Sequence, residues 1–165
     1  MKMLGVVLLL IFVPKCFPSS NGSRLEAEYY VAAYAQHYHI SVEFVRAIVE
    51  QESGWQRCPV SGKGAKGLMQ LMPATAKRLN VSDPCEMSQN ISGGVRYLSR
   101  LAGNFHGDLR LVAAAYYAGE RVIQARGLKY ANRDVVRYVT NVRKRYQHQR
   151  NAPSAIIDRA SGGIR

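Results

Sequence analysis

Apolar residues recur at helical steps almost throughout the chain, and no run of alternating β-branched residues is long enough to predict a sheet. The expected fold is all-α. A first helix, rich in alanine and tyrosine, is predicted from about Arg24 to His37. His39-Ile40-Ser41 interrupts it, and Ser41 is placed to cap a second helix over Val42 to Ser53 that Gly54 is positioned to end. Between Gly54 and Gly67 the residues turn to Gly, Pro, Ser and Lys, which is loop chemistry. Pro73 suits the first position of a short helix through Leu79, and Asn80 to Met87, with Asp83-Pro84, reads as another loop. The cleanest stripe is Ile91, Val95, Leu98, Ala102 and Phe105, which predicts a central core helix. Leu111 to Ala118 is apolar and small enough for other helices to approach closely, and Gly119 can end it. Arg121 to Arg126 predicts another short helix. The last, Asp134 to His148, places Val135, Val139, Val142 and Tyr146 on one stripe.

Length permits one domain around a single core, expected over residues 24–148. Ahead of it, Lys2 is followed by an almost unbroken apolar run from Leu4 to Val13 and a small polar cluster at Ser19, Ser20, Gly22 and Ser23. That run is too short to span a bilayer, so residues 1–22 are expected to be a secretory signal peptide, with an uncleaved N-terminal anchor as the alternative. A lipoprotein reading through Cys16 is weakened by the charged Lys15. Pro153 and Ser161-Gly162-Gly163 predict a flexible basic tail over residues 149–165. There is no internal repeat. Without the leader, Cys58 and Cys85 remain as a disulfide candidate in an oxidising compartment, with free thiols as the alternative. Neither lies in a CxxC pair and no His completes a ligand set, so no metal is inferred.

The formal net charge of +12 raises nucleic acid as a partner. The basic residues are scattered, however, and thicken only at Arg137, Arg143, Lys144, Arg145 and Arg150, without a helix-turn-helix, RNP or zinc-finger pattern. No nucleic acid is expected. An exported chain of this charge points to an anionic envelope polymer, while many of these residues simply solvate helix faces.

Glu52 is the candidate acid. Val45, Ile48 and Val49 form the apolar stripe of the second helix, and Glu52 follows on it at the next three- and four-residue steps. Glu43 and Glu50 project to the other face as ordinary solvated acids. Burial, and the partial negative charge at a helix C-terminus, both disfavour the ionised form of Glu52. That is the state a general acid needs. A helix-end Glu satisfied by a backbone or arginine partner fits the same spacing.

The surrounding sequence resembles the soluble lytic transglycosylase family, whose catalytic domains have a lysozyme-like fold with a loop-rich substrate groove. The similar blocks are Glu52-Ser53-Gly54-Trp55, Val60-Ser61, Gly64-Ala65-Lys66-Gly67-Leu68-Met69-Gln70-Leu71-Met72-Pro73-Ala74-Thr75-Ala76, Asn90-Ile91 with Gly94 and Tyr97-Leu98, Ala114-Ala115-Tyr116-Tyr117-Ala118-Gly119, and Tyr138-Val139. They occur in the family's order across most of the chain. The resemblance implies non-hydrolytic cleavage of the β-1,4 bond between N-acetylmuramic acid and N-acetylglucosamine, leaving a 1,6-anhydro muramic product and using no cofactor. Glycosidases normally need two carboxylates, and no second acid is placed beside Glu52. A mechanism using the substrate's own N-acetyl group and 6-hydroxyl needs only one. A lysozyme-type hydrolase and a non-catalytic envelope-binding protein are the competing readings.

By the same resemblance, Ser53 supports the catalytic carboxylate and Ser61 lies in a loop that reaches the muramic sugar. Met69 and Gln70 line the groove floor, and Tyr116 and Tyr138 approach the glycan and the Glu. Met69, Tyr116 and Tyr138 fit plain core packing equally well. Tyr117 stands where the family usually has Asn, Glu120 where Pro is common, and Asp134 where Glu is frequent, so subsite preference is the property in doubt. Trp55 is a groove or a packing aromatic. The implied partners are peptidoglycan strands, in the periplasm or cell envelope. Small size suggests service to an envelope-spanning secretion, conjugation or pilus apparatus by fold-level analogy.

Overall fold

The computed structural model describes residues 20–130 and 132–151. Nearly all of the expected leader, including the Leu4–Val13 run, lies outside them, as does the tail beyond Asn151. Seven α-helices are described: α1 (Ser20–His37), α2 (Val42–Ser53), α3 (Pro73–Arg78), α4 (Met87–Asn104), α5 (Leu109–Ala118), α6 (Glu120–Arg126) and α7 (Arg133–Asn151), with a 3-10 turn at Gly127–Lys129 before α7. Among the described residues there is no extended strand, only isolated bridges that pair Lys66 with Val60 and with Leu71. The domain is all-α, as the periodicity predicts. None of the described helices is long and apolar enough to cross a membrane.

The local chemistry sets the boundaries. Ser41 Oγ accepts the Phe44 N–H and starts α2, and Gly54, at φ 56°, ends it in the left-handed conformation with its N–H donating to the Glu50 carbonyl. Pro73 opens α3. Three helices start earlier than their apolar stripes suggest, because polar residues supply the first turn. Glu86 accepts the Ser88 and Gln89 N–H groups, so α4 begins at Met87 rather than inside the stripe. Asp108 accepts the Arg110 N–H and brings α5 back to Leu109. The first turn of α1 takes in Ser20, within the stretch expected to be leader, and Arg24, four residues further on, pairs with Glu28 and lies over the Trp55 ring. At the other end, α7 runs three residues into the segment expected to be tail, held by Gln149 donating to Glu50.

Packing follows from the stripes. Ile91, Val95, Leu98 and Leu101 of α4 are fully buried, and α4 packs against α1, which buries Val31 and Ala35, and against α5, which buries Val112 to Ala115. Helix α2 lies between α1 and α7. Cys58, after α2, and Cys85, before α4, are joined as a disulfide. This crosslink ties the loop between α2 and α3 to the entrance of α4.

Candidate active site

Helix α2 presents Phe44, Val45, Ile48 and Val49 to the core with no exposed surface to speak of, and Glu52 follows on that face at the last turn. The carboxylate is partly buried. Burial lifts it to about 7, while a hydrogen bond from Tyr138 works in the opposite direction by favouring the carboxylate. Among the described residues, no second carboxylate is a cause of this shift. The Tyr138 hydroxyl donates to Glu52 Oε1. Burial, with the Glu52 charge nearby, holds the Tyr138 and Tyr116 phenols well above their usual range, so both remain protonated donors.

Tyr138 reaches Glu52 because α7 is clamped to α2. Arg145 Nη1 donates to Glu50 Oε1 at 2.6 Å and Arg145 Nε to Gln51 Oε1 at 3.2 Å, and Gln149 adds a bond to Glu50 Oε2 at 3.3 Å. Glu50 is therefore not the free solvated acid expected from its helix face. Its face is opposite to that of Glu52, but α7 crosses it and supplies the partners. Glu43 is likewise engaged: Ser41 Oγ donates to it at 2.6 Å, and that bond leads the causes that hold its carboxyl below the usual range.

Ser53 does not support the carboxylate. Its Oγ donates to the Val49 carbonyl at 3.0 Å and accepts the Trp55 N–H at 3.1 Å, because adjacent helical residues point about 100° apart. It shapes the turn that follows Glu52. Trp55, at φ 67° and 8% exposed, packs into the core with Arg24 above its ring, which settles it as a packing aromatic.

The loop from Val60 to Leu71 forms a compact floor, and one buried side chain holds it. Asn90 of α4 accepts the Met69 N–H on Oδ1 at 2.8 Å and donates through Nδ2 to the Lys66 and Pro84 carbonyls at 3.0 and 2.8 Å. A Cβ at Gly94 would collide with the Met69 side chain, and a Cβ at Gly67 with Asn90 and the Pro84 carbonyl, so these glycines let the loop lie directly on α4. Met69 is consequently fully buried. It offers no side-chain surface to a sugar, contrary to the groove-floor expectation, because the glycine opposite draws it inward. Its carbonyl accepts the Tyr116 hydroxyl at 2.7 Å. Gln70, at φ 46°, donates its amide to the Pro59 and Gly67 carbonyls, which leaves its side-chain oxygen free to accept. Ser61 Oγ accepts the Ala65 N–H and keeps its own proton for another partner.

The fold thus gathers Glu52, Tyr138 and Tyr116, and attaches the loop carrying Gln70 through Tyr116. Asn90 was named from sequence only as part of a family block, without a role, and the Glu50–Arg145 clamp was not singled out. An asparagine beside Ile91 on an otherwise apolar stripe was the available signal for the first. The clamp joins residues too distant in sequence for any local pattern.

A partly buried acid at the end of α2, accepting from a tyrosine of the last helix within an all-α domain, defines a lysozyme-like arrangement. Residues 29–136 match the family model described as the transglycosylase SLT domain, and the chain belongs to that family. It is similar to the transglycosylase of Enterobacteria phage PRD1, with 38% identity over 89 residues, covering 54% of this chain and 33% of that protein. It is also similar to the putative soluble lytic murein transglycosylase of Haemophilus influenzae, with 40% identity over 102 residues, covering 56% of this chain and 17% of that protein. An inactive mutant of the lytic transglycosylase Slt from Pseudomonas aeruginosa superposes with a TM-score of 0.68 at 27% identity, over 81% of this chain and 26% of that one. The 70 kDa soluble lytic transglycosylase of Escherichia coli does so with a TM-score of 0.65 at 26% identity, over 74% and 24%. The chain spans a third or less of the curated relatives it matches.

Proposed function

We propose that this chain is a peptidoglycan lytic transglycosylase in which Glu52 serves first as acid and then as base. The single observation that carries this is the Glu52 carboxyl, raised to about 7 by burial and held by Tyr138 with no second acid beside it among the described residues. The protonated Glu52 gives its proton to the glycosidic oxygen, the bond from that oxygen to C1 of the muramic sugar breaks, and the N-acetylglucosamine side leaves as an alcohol. The muramic N-acetyl oxygen supports the positive charge at C1. The Glu52 carboxylate then takes the proton of the muramic 6-hydroxyl, whose oxygen closes on C1. Water is not consumed, and Glu52 ends protonated as it began.

Tyr138 keeps the carboxyl in place through both steps, and its bond favours the carboxylate that the second step needs. The free Gln70 oxygen and the Ser61 hydroxyl are assigned to substrate contacts. Residues 24–148 would be the catalytic domain of an exported protein acting in the periplasm or envelope, opening the wall for a secretion, conjugation or pilus apparatus. The named activities of the relatives and the strong positive charge support an anionic wall polymer as substrate. The test is mass spectrometry of muropeptides released from purified wall by the wild type and by Glu52→Gln. Anhydro-muramic ends from the wild type and none from the variant are expected. Free reducing ends alone would establish a hydrolase, and an active Glu52→Gln would remove Glu52 from the chemistry.

A further inference from the structure

The residue outside Tyr138 is Tyr117, at the last turn of α5. The two rings stack with centroids 4.7 Å apart and planes 27° from parallel. Tyr138 is 5% exposed, whereas Tyr117 is 48% exposed. A ring with one face covered and the other open has about that exposure. Its neighbour on the helix is turned inward: Tyr116 sends its hydroxyl to the Met69 carbonyl and its ring to Tyr97, at 5.5 Å. The Tyr117 hydroxyl makes no hydrogen bond within the described residues, so the side chain is fixed by its covered face alone. The layers from the candidate acid outward are therefore Glu52, Tyr138, Tyr117 and solvent.

An aromatic ring kept half in water costs apolar hydration that a polar residue at the same place would avoid. What it offers in return is a flat, electron-rich face one ring removed from Glu52, on the outer side of Tyr138. A pyranose in a β-linked glycan presents C–H groups on its broad face, with their positive edge toward such a ring, and hydroxyls around the rim where the phenol can exchange hydrogen bonds. We propose that Tyr117 is the aromatic platform of a sugar subsite built against Tyr138, taking an N-acetylhexosamine ring of the glycan strand by its C–H face. The proposal rests on the reading of Glu52 as the acid that cuts this strand. It makes Tyr117 a specificity-determining contact, peculiar to a chain that has an aromatic where an asparagine is usual. A sugar seated there covers the open face of Tyr117, the ring that itself covers Tyr138.

The test compares Tyr117→Phe, Tyr117→Trp and Tyr117→Asn by steady-state cleavage of purified glycan strands. Binding of the same strands is measured in a Glu52→Gln background, where they are not cut. Tyr117→Asn is expected to raise KM and weaken binding about tenfold with kcat changed much less, because a contact made equally before and during the reaction is lost. Phe and Trp, which keep the face, are expected to stay within about threefold of the wild type. Unchanged binding for Tyr117→Asn would overturn the platform, as would a Phe variant as weak as the Asn one. A turnover-competent Glu52→Gln would instead bring down the underlying assignment. The two failures are thus distinguishable.

Discussion

The Tyr138 hydroxyl donates to Oε1 of Glu52 across a sequence separation of 86 residues, joining the last helix to the second at the carboxyl where the chemistry is assigned. Burial raises that carboxyl and the tyrosine lowers it. Tyr138→Phe removes the lowering influence alone, so the Glu52 carboxyl moves further up. In the pH dependence of kcat/KM, the limb that falls with loss of the acid should move to higher pH. The rate at the optimum should drop about tenfold or more, because the carboxylate needed in the second step is less favoured. A profile with an unmoved limb would mean that Tyr138 acts only in packing.

The same shift predicts how stability depends on pH. The folded state raises Glu52 from 4.5 to about 7, so it binds the proton more tightly than the unfolded chain does. Stability from this group is fully present below the unfolded value and is lost as pH rises through the folded one. Glu52→Gln escapes the loss. Urea melts should therefore show the variant gaining on the wild type between pH 4 and pH 8 by an amount on the order of 3 kcal/mol. A gap constant across that range would contradict the burial of the carboxyl.

Asn90→Ala should be costly without touching a sugar. It leaves the Met69 N–H and the Pro84 carbonyl without their partner and the Lys66 carbonyl with the Leu71 N–H alone, at a cost of about 3 kcal/mol. The floor loop is released with Gln70, so the surviving folded enzyme should lose activity chiefly through KM. Melting curves and steady-state kinetics at a temperature where the variant is folded check the two parts separately.

Replacing both Cys58 and Cys85 by Ser opens a crosslink across a sequence separation of 27 residues, which the loop-entropy relation values at about 3.5 kcal/mol. The midpoint of denaturant unfolding should fall in the variant, and the wild type treated with a reductant should fall to match it. A reductant-insensitive wild type would mean that the pair is not closed in solution.

How much of this was legible beforehand differs by kind of interaction. Apolar stripes and single capping residues are local, so α2 could be bounded at Val42 and Ser53 from Ser41 and Gly54 alone. The starts of α4 and α5 were missed because Glu86 and Asp108 cap turns that lie outside their stripes. At the site, Glu52 could be placed on the apolar face by counting turns, and the family blocks nominated Tyr138. Counting could not show that Met69 points inward, since that depends on Gly94 in another helix, or that Arg145 meets Glu50. Ser53 shows the limit of transfer from a motif: adjacency in sequence suggested support of the carboxyl, and helix geometry sends the hydroxyl to Val49 instead.

The central claim is that an internal hydroxyl, delivered with the help of Glu52, replaces water. Digestion of purified wall in water enriched in oxygen-18 tests this most directly, with the isotopic mass of each new glycan end read by mass spectrometry. The account predicts anhydro-muramic ends with no oxygen-18 at the cleaved position. Muramic ends carrying one solvent oxygen at C1 would contradict it and make the protein a hydrolase.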